Sequence, residues 1–456
     1  MEQVELLGGE SAEERKRRLA EARERRRAEA AKAAPRVVRA ERSQLRWEVV
    51  DLDGELPQTH RARSVLAVVK KLNLSAFYER IKARGSWAGR DATDPQVLLA
   101  LWLYATAEGV GSARELERLT EQHVAYRWLR GGVPVNYHTL STFRSENAEA
   151  LEELFTQVLA VMMAEGLVRL RRVAQDGTRV RASAGDRSFR RRKKVEELRA
   201  EVRRQIEALR GELEAPARRS LSRRKQAAQR RALEERERRL TRALEELGAL
   251  ERERGGYKKG AKEPSGEPRS STTDPEARVM RQTGGAYLPG YNVQLATDAE
   301  SEVVVGVEVS QGRTDFAEAV PMLEQLERRF GRLPEQYVVD TGYTSVENVE
   351  ELSARGVELY GALPKRKGKP DPYEVRPRDS EAVRQLKERM RTPEGRAIYG
   401  VRARVSERVH ADLKRWRTLG KIVLRGRTKV RCIVLLNVIT YNLLRWFALL
   451  AAAGGS

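Results

Sequence analysis

The sequence predicts an α+β protein with a helical N-terminal half and a mixed-sheet core that a long helical hairpin interrupts. Three observations carry this reading. Apolar residues recur at helical spacing from Ala62 to about Met163, as in Val65, Leu66, Val68, Val69 and Leu72. Beyond Gly166 the period shortens to that of strands, most clearly in Tyr291 to Thr297 and Val303 to Val309. Between these regions Val195, Leu198, Val202, Ile206, Leu209 and Leu213 follow a 3-4 heptad, which Pro216 breaks and Leu233, Leu240, Leu244 and Leu247 resume.

The elements follow in order. Residues 1–45, almost entirely Glu, Arg and Ala, read as a charged helical or disordered arm unable to build a core. A globular segment starts near Trp47, with Val49, Val50 and Leu52, and residues 46–165 form a helical domain of the kind that docks on DNA. Asp94-Pro95 opens one of its helices, Ser112 precedes another and Thr139 to Phe143 begins a third. Residues 166–186 and 256–456 supply the sheet domain. Its strands are Val168 to Ala174 leading into Asp176, then Tyr291 to Thr297, Val303 to Val309, Tyr337 to Asp340 and Val357 to Ala362, with a helix from Asp315 to Phe330. Strand, strand, strand, helix, strand is the order of a ribonuclease H-like core. Residues 187–255 form an antiparallel coiled-coil hairpin between its first and second strands, flanked by Arg and Lys. Residues 255–287, rich in Gly, Ser, Pro and Lys, read as a loop returning to the sheet.

At 456 residues the chain exceeds what one core usually serves. Its 88 Lys and Arg against 66 Asp and Glu leave a net charge of +22, which calls for a polyanionic partner, most simply nucleic acid. One cysteine, Cys432, excludes an internal disulfide, and four scattered histidines without cysteine partners exclude a structural zinc. The N-terminus lacks the pattern of a secretory signal. The most apolar segment, Cys432 to Ala453, carries Asn437, Asn442 and Arg445 and reads as a buried helix, not a membrane span. These features place the protein in the cytoplasm, associated with the nucleoid.

Three carboxylates stand where chemistry could gather. Asp176 and Asp340 each end a strand, and Glu407 lies on a later helix. Groups at the carboxyl ends of neighbouring strands converge on one crevice, and three carboxylates there could hold two magnesium ions about 4 Å apart. Each has a plainer alternative: a hairpin turn at Asp176-Gly177, a strand-to-loop turn at Asp340-Thr341-Gly342, a surface position for Glu407. Around Glu407 stand Tyr399, Arg402 and Lys414, within about 140° of arc on a helix, so that one carboxylate is ringed by two cations and an aromatic. That surface suits a metal-bound phosphate.

These residues together resemble the DDE transposases of bacterial insertion sequences, over roughly Leu52 to Phe447. The resemblance lies in Asp94-Pro95-Gln96-Val97-Leu98-Leu99, Ser112 to Arg118, Tyr137 to Arg144, Gln175-Asp176-Gly177-Thr178, Thr273-Asp274-Pro275-Glu276-Ala277-Arg278, Gly290 to Gln294 and Asp340-Thr341-Gly342-Tyr343, with a Tyr–Arg–Glu–Lys signature at Tyr399 to Lys414. It implies that Asp176, Asp340 and Glu407 are a catalytic, metal-binding triad using Mg2+, with Mn2+ as a substitute. It further implies that Tyr399, Arg402, Lys414 and, as an additional candidate, Arg404 grip DNA. The implied partners are double-stranded DNA, as terminal inverted repeats and target, and a second copy of the chain in a homodimer. The implied reaction is phosphodiester hydrolysis at the element's ends, then attack of the freed 3′-hydroxyl on target DNA. Four residues separate Arg402 from Glu407 where the best-known signature has three, and Ser406 and His410 stand where apolar residues are expected. The 66 residues between Asp340 and Glu407 leave little room for an inserted domain. The alternatives are a non-catalytic, domesticated transposase that binds DNA and a coiled-coil scaffold.

Overall fold

The computed structural model describes residues 12–32, 51–83, 91–214, 220–255, 266–282, 284–365, 368 and 370–454. Residues Met1–Asp51 and Leu52–Ser456 form two units. The described part of the first is one helix, α1 (Ala12–Lys32), which has no apolar stripe. The expected globular start at Trp47, Val49 and Val50, the helix break at Pro216 and residues 256–265 of the expected 255–287 loop lie outside the described residues. The rest of that loop carries short strands at Ser270–Ser271 and Arg278–Arg281, which pair with other strands instead of remaining loop.

In the second unit seven helices come first: α2 (Arg61–Val69), α3 (Ser75–Tyr78), α4 (Pro95–Ala107), α5 (Ala113–Gln122), α6 (Val124–Arg130), α7 (Tyr137–Glu146) and α8 (Ala148–Ala164). The start signals act as caps. Asp94 accepts from the Gln96 amide at 2.8 Å with Pro95 in the first turn, and Ser112 caps α5. Helix α7 starts two residues before the expected Thr139, because Asn136 accepts from the Thr139 amide at 2.9 Å. The helices close on Trp102, whose indole donates to the Leu140 carbonyl at 3.0 Å, and the buried Arg144 stacks on that indole.

The sheet is built from β1 (Arg172–Arg181), β4 (Arg278–Arg281), β5 (Tyr287–Asp298), β6 (Val304–Ser310), β7 (Gln336–Val339) and β8 (Glu358–Gly361), while β2 (Phe189–Arg190) and β3 (Ser270–Ser271) pair separately. Strand β1 is central. It runs antiparallel to β5 and parallel to β7, and β7 runs parallel to β8. Strands β4 and β6 both pair with β5. The first strand differs from its expected course: it starts at Arg172, after Leu170 takes a left-handed conformation, and runs on through Arg181. Asp176 therefore lies in mid-strand, because pairing of Asp176 with Leu295 and of Gly177 with Gln294 overrides the local turn tendency of Asp-Gly.

Helix α11 (Ala319–Phe330) follows β6, α12 (Val346–Ala354) follows β7, and α13 (Glu381–Arg391) and α14 (Pro393–Ala411) follow β8. A π-helical turn, Asp412–Trp416, then leads to α15 (Arg427–Gly454). By length and composition α15 could cross a membrane, but most of its apolar stretch is buried against α4, α7, α8 and β6. It carries one continuous core from the N-terminal helices to the sheet, across the boundary expected near residue 165. Its Asn442 amide bonds both backbone groups of Val304, and Gln325 of α11 does the same at Val307, so side chains occupy the outer edge of β6.

Two long helices, α9 (Arg192–Glu214) and α10 (Ser220–Gly255), pair antiparallel, as the Arg192–Glu251 and Arg203–Glu237 contacts show. Val195, Val202, Ile206, Leu240, Ala243 and Leu247 form their core. The pair is fixed to the sheet by an ion pair between Glu246 and Arg278 of β4, with side chains 8% and 6% exposed, and Gln311 donates to Glu246 at 3.2 Å.

Candidate active site

The register of β1 and β7 places the two strand carboxylates side by side. The pairing ends with Ala174 opposite Val338; two residues further on stand Asp176, still in β1, and Asp340, just past the end of β7, close enough for their charges to interact. Asp340 leaves its strand as the cap of a short 3-10 turn, Thr341–Tyr343, and accepts from the Gly342 amide at 2.7 Å. Asp176 accepts from the Gly177 amide at 2.9 Å through Oδ1 and from Arg402 Nη1 at 3.0 Å through Oδ2. Its pKa is pushed up to about 6: burial is the main cause, Arg402 opposes it, and the charges of Asp340 and Asp315 add to the rise.

Asp315 was read from the sequence as the start of a helix. It lies instead in the loop before α11, which begins only at Ala319. Its carboxylate accepts from both Arg179 Nη atoms at 3.1 and 3.0 Å, and from the Asn292 and Gln294 amides at 2.7 Å each. Around it a buried network runs on. Gln175 donates to Gln294 Oε1 at 2.9 Å, Tyr337 donates to Gln175 at 2.6 Å, and Tyr343 donates to Gln294 at 2.5 Å. The polar residues of Gln175-Asp176-Gly177, Asn292-Val293-Gln294 and Asp340-Thr341-Gly342-Tyr343 thus form one platform under the two carboxylates. A Cβ at Gly177 would stand 2.5 Å from Gln294 Nε2 and 2.6 Å from Asp315 Oδ1, so any other residue there would push these two side chains out of their hydrogen bond. The signal that could have found Asp315 is its place in a loop between two core elements.

Helix α14 brings the cationic side. The Arg402 guanidinium lies 5.9 Å from the centre of the Tyr399 ring while holding Asp176. Glu407 is exposed and lines a cavity of about 530 Å³ with Gly177, Arg179, Arg313, His410 and Lys414. Lys414 is carried by the π turn and not by a continuing α-helix, so the α-helical period does not run unbroken to it, yet it lines the same cavity as Glu407. Burial and Arg179 lower the pKa of Lys414, and Asp176 partly offsets this. Ser406 is buried, and burial with Lys414 and Arg402 holds His410 down to about 3, so both polar residues enter the packing uncharged. Arg404 is exposed on α14, and no hydrogen bond or ion pair ties it to the site among the described residues.

Among the described residues, no three His, Cys, Asp or Glu side chains stand together as metal ligands. The structure brings Asp176 and Asp340 together. Glu407 stays outside the set of charges that act on Asp176, where Arg402 approaches instead. The pair itself suits a cation, because burial, with the charges of Asp340 and Asp315 adding to it, makes the charged form of Asp176 unfavourable until positive charge answers it.

Two carboxylates at neighbouring strands β1 and β7, approached by Arg402 and Lys414, make a site of mixed charge beside an open cavity. Residues 265–443 match the transposase DDE domain family and residues 50–146 match a second transposase domain family, and the chain belongs to the DDE transposases of insertion sequences. The first match contains Asp340 and Glu407 and begins after Asp176, which reaches the site through the pairing of β1 with β5 and β7. No curated protein and no solved structure matches the chain.

Proposed function

We propose that this transposase cuts and joins DNA at a site made by Asp176, Asp340 and Glu407 on a ribonuclease H-like sheet. The observation that carries the proposal is the burial of Asp176 and its crowding by Asp340 and Asp315, answered by one guanidinium. In this reading Asp176, Asp340 and Glu407 are the residues that would hold Mg2+, or Mn2+ in its place, and Arg402 would release Asp176 to contact a phosphate. The metal would supply charge neutralisation at the phosphate and an activated nucleophile, water for hydrolysis and the freed 3′-hydroxyl for strand transfer. The chain's residues do the positioning. The Gly177 and Gly342 amides fix the two aspartates, Lys414 and Arg402 bind phosphate oxygens, Arg404 adds a contact along the backbone, and Tyr399 stacks on a base. Neutral His410 leaves room beside Lys414 without adding charge.

The substrates are double-stranded DNA ends carrying terminal inverted repeats and a target duplex. Residues 46–165 recognise the ends, residues 187–255 form a coiled-coil insertion, and two copies act together as a homodimer in the cytoplasm. The test is cleavage of a labelled duplex carrying the repeats that flank the gene. In Mg2+ or Mn2+ the parent protein should nick it, and Asp340→Ala should lower the rate by at least about a thousandfold, the scale of losing a group that stabilises transition-state charge. A parent with no metal-dependent cleavage, or an Asp340→Ala protein that cuts normally, would overturn the proposal and favour the non-catalytic reading.

A further inference from the structure

Resting on that reading, we infer that the DNA backbone leaves the cleavage site across Arg313 and runs into a second groove at the foot of the α9–α10 pair. The cavity beside Glu407 and a neighbouring cavity of about 840 Å³ stand on either side of the β4–β5 hairpin. Arg281 and Gln282 line the first, and Val279 and Tyr287 line the second. The exposed Arg313 lines both, so one side chain borders the two cavities. The second cavity is walled by Arg254 of α10, Arg269, Arg278, Arg313 and Arg427 against the acidic Asp186, Glu253 and Glu267.

Charge and rigidity point to a phosphodiester backbone as the occupant. The side chains of Arg269, Arg313 and Arg427 are exposed, and none forms an ion pair among the described residues. Beside Asp186, Glu253 and Glu267 the arginines still leave the groove with more cations than anions, which suits an extended polyanion. Tyr287, 67% exposed, adds a ring on which a base can stack, a mix of aromatic and cation typical of nucleic-acid surfaces. The groove is also preformed. The buried Glu246–Arg278 pair, the 2.7 Å bond from Gln311 to the Glu276 carbonyl and the Arg242–Glu276 pair hold α10 against the sheet beside it. The long helical pair thus extends the DNA-binding surface away from the chemistry, and the positive face it offers is at its base.

The test measures binding of the full chain to a fluorescent random-sequence duplex of about 40 base pairs across a salt series. Each phosphate contact contributes about 0.9 to the slope of log affinity against log salt. The triple change Arg269→Ala, Arg313→Ala, Arg427→Ala should lower that slope by about 2 to 3 and weaken binding at 0.1 M salt by at least about tenfold. Replacing the same three residues with Lys should keep the parent slope, which separates lost charge from a folding defect. A triple-alanine protein with unchanged far-UV circular dichroism and the parent slope overturns the path. If Asp340→Ala still abolishes cleavage in that case, the cleavage proposal stands and the path alone fails. A parent that neither binds nor cuts DNA overturns both.

Discussion

Arg402 Nη1 and Asp176 Oδ2 meet at 3.0 Å, joining residues 226 positions apart with side chains 20% and 19% exposed. The contact gives Asp176 a positive partner from α14, the helix that also bears Glu407. A guanidinium is therefore the counter-ion at the place proposed for a metal.

Arg402→Ala should bind Mn2+ more tightly without DNA, because the metal no longer displaces a charge-assisted hydrogen bond of about 1.5–3 kcal/mol. The expected gain is about tenfold or more. Calorimetric titration measures it, and equal or weaker binding would contradict the role of Arg402 as the resident counter-ion.

The raised pKa of Asp176 makes stability depend on pH. Unfolded, the group ionises near 3.8, and folded near 6. Between those values the folded chain keeps a proton that the unfolded chain has lost, so stability falls as pH rises through that window. The full cost above pH 6 is about 3 kcal/mol. Asp176→Asn should be more stable than the parent at pH 7.5 and converge with it near pH 4. Thermal unfolding in chelator at both pH values reads this, and a parent-like profile in the variant counts against it.

Asp315→Ala should cost about 3 kcal/mol or more, since it strands the Arg179 guanidinium and two buried amides at once. Asp315→Asn keeps the shape and should cost less. Urea unfolding gives the difference, and a neutral Asp315→Ala would remove Asp315 from the platform.

Glu246→Ala leaves the buried Arg278 unpaired and should destabilise by about 3–5 kcal/mol, whereas Glu246→Leu with Arg278→Met should recover most of the loss. Denaturation midpoints of the two variants make the comparison. Equal losses would mean that the pair does not fix the helices to the sheet.

The parts legible in the sequence are those that local pattern dictates. Strands β5 to β8 follow from apolar runs such as Val303 to Val309, and the α9–α10 core from its heptad leucines and valines. Asp340 could be placed because an apolar strand stops just before it. Asp176 was misplaced because Asp-Gly favours a turn, and only pairing with β5 extends the strand. Asp315 was missed because the partner that grips it most fully, Arg179, is 136 residues away. The π turn under Lys414 has no periodic signature, so a helix-wheel reading carried the α-helical period past its end.

The amides of Asn442 and Gln325 bear on assembly. Both take up backbone groups on the outer side of β6 that an incoming strand would need. A newly made chain that has placed α11 and α15 therefore offers its siblings no β6 template, which blocks runaway cross-β growth there. In the proposed homodimer, contact at that edge would then run through side chains or bound DNA and not through a shared sheet.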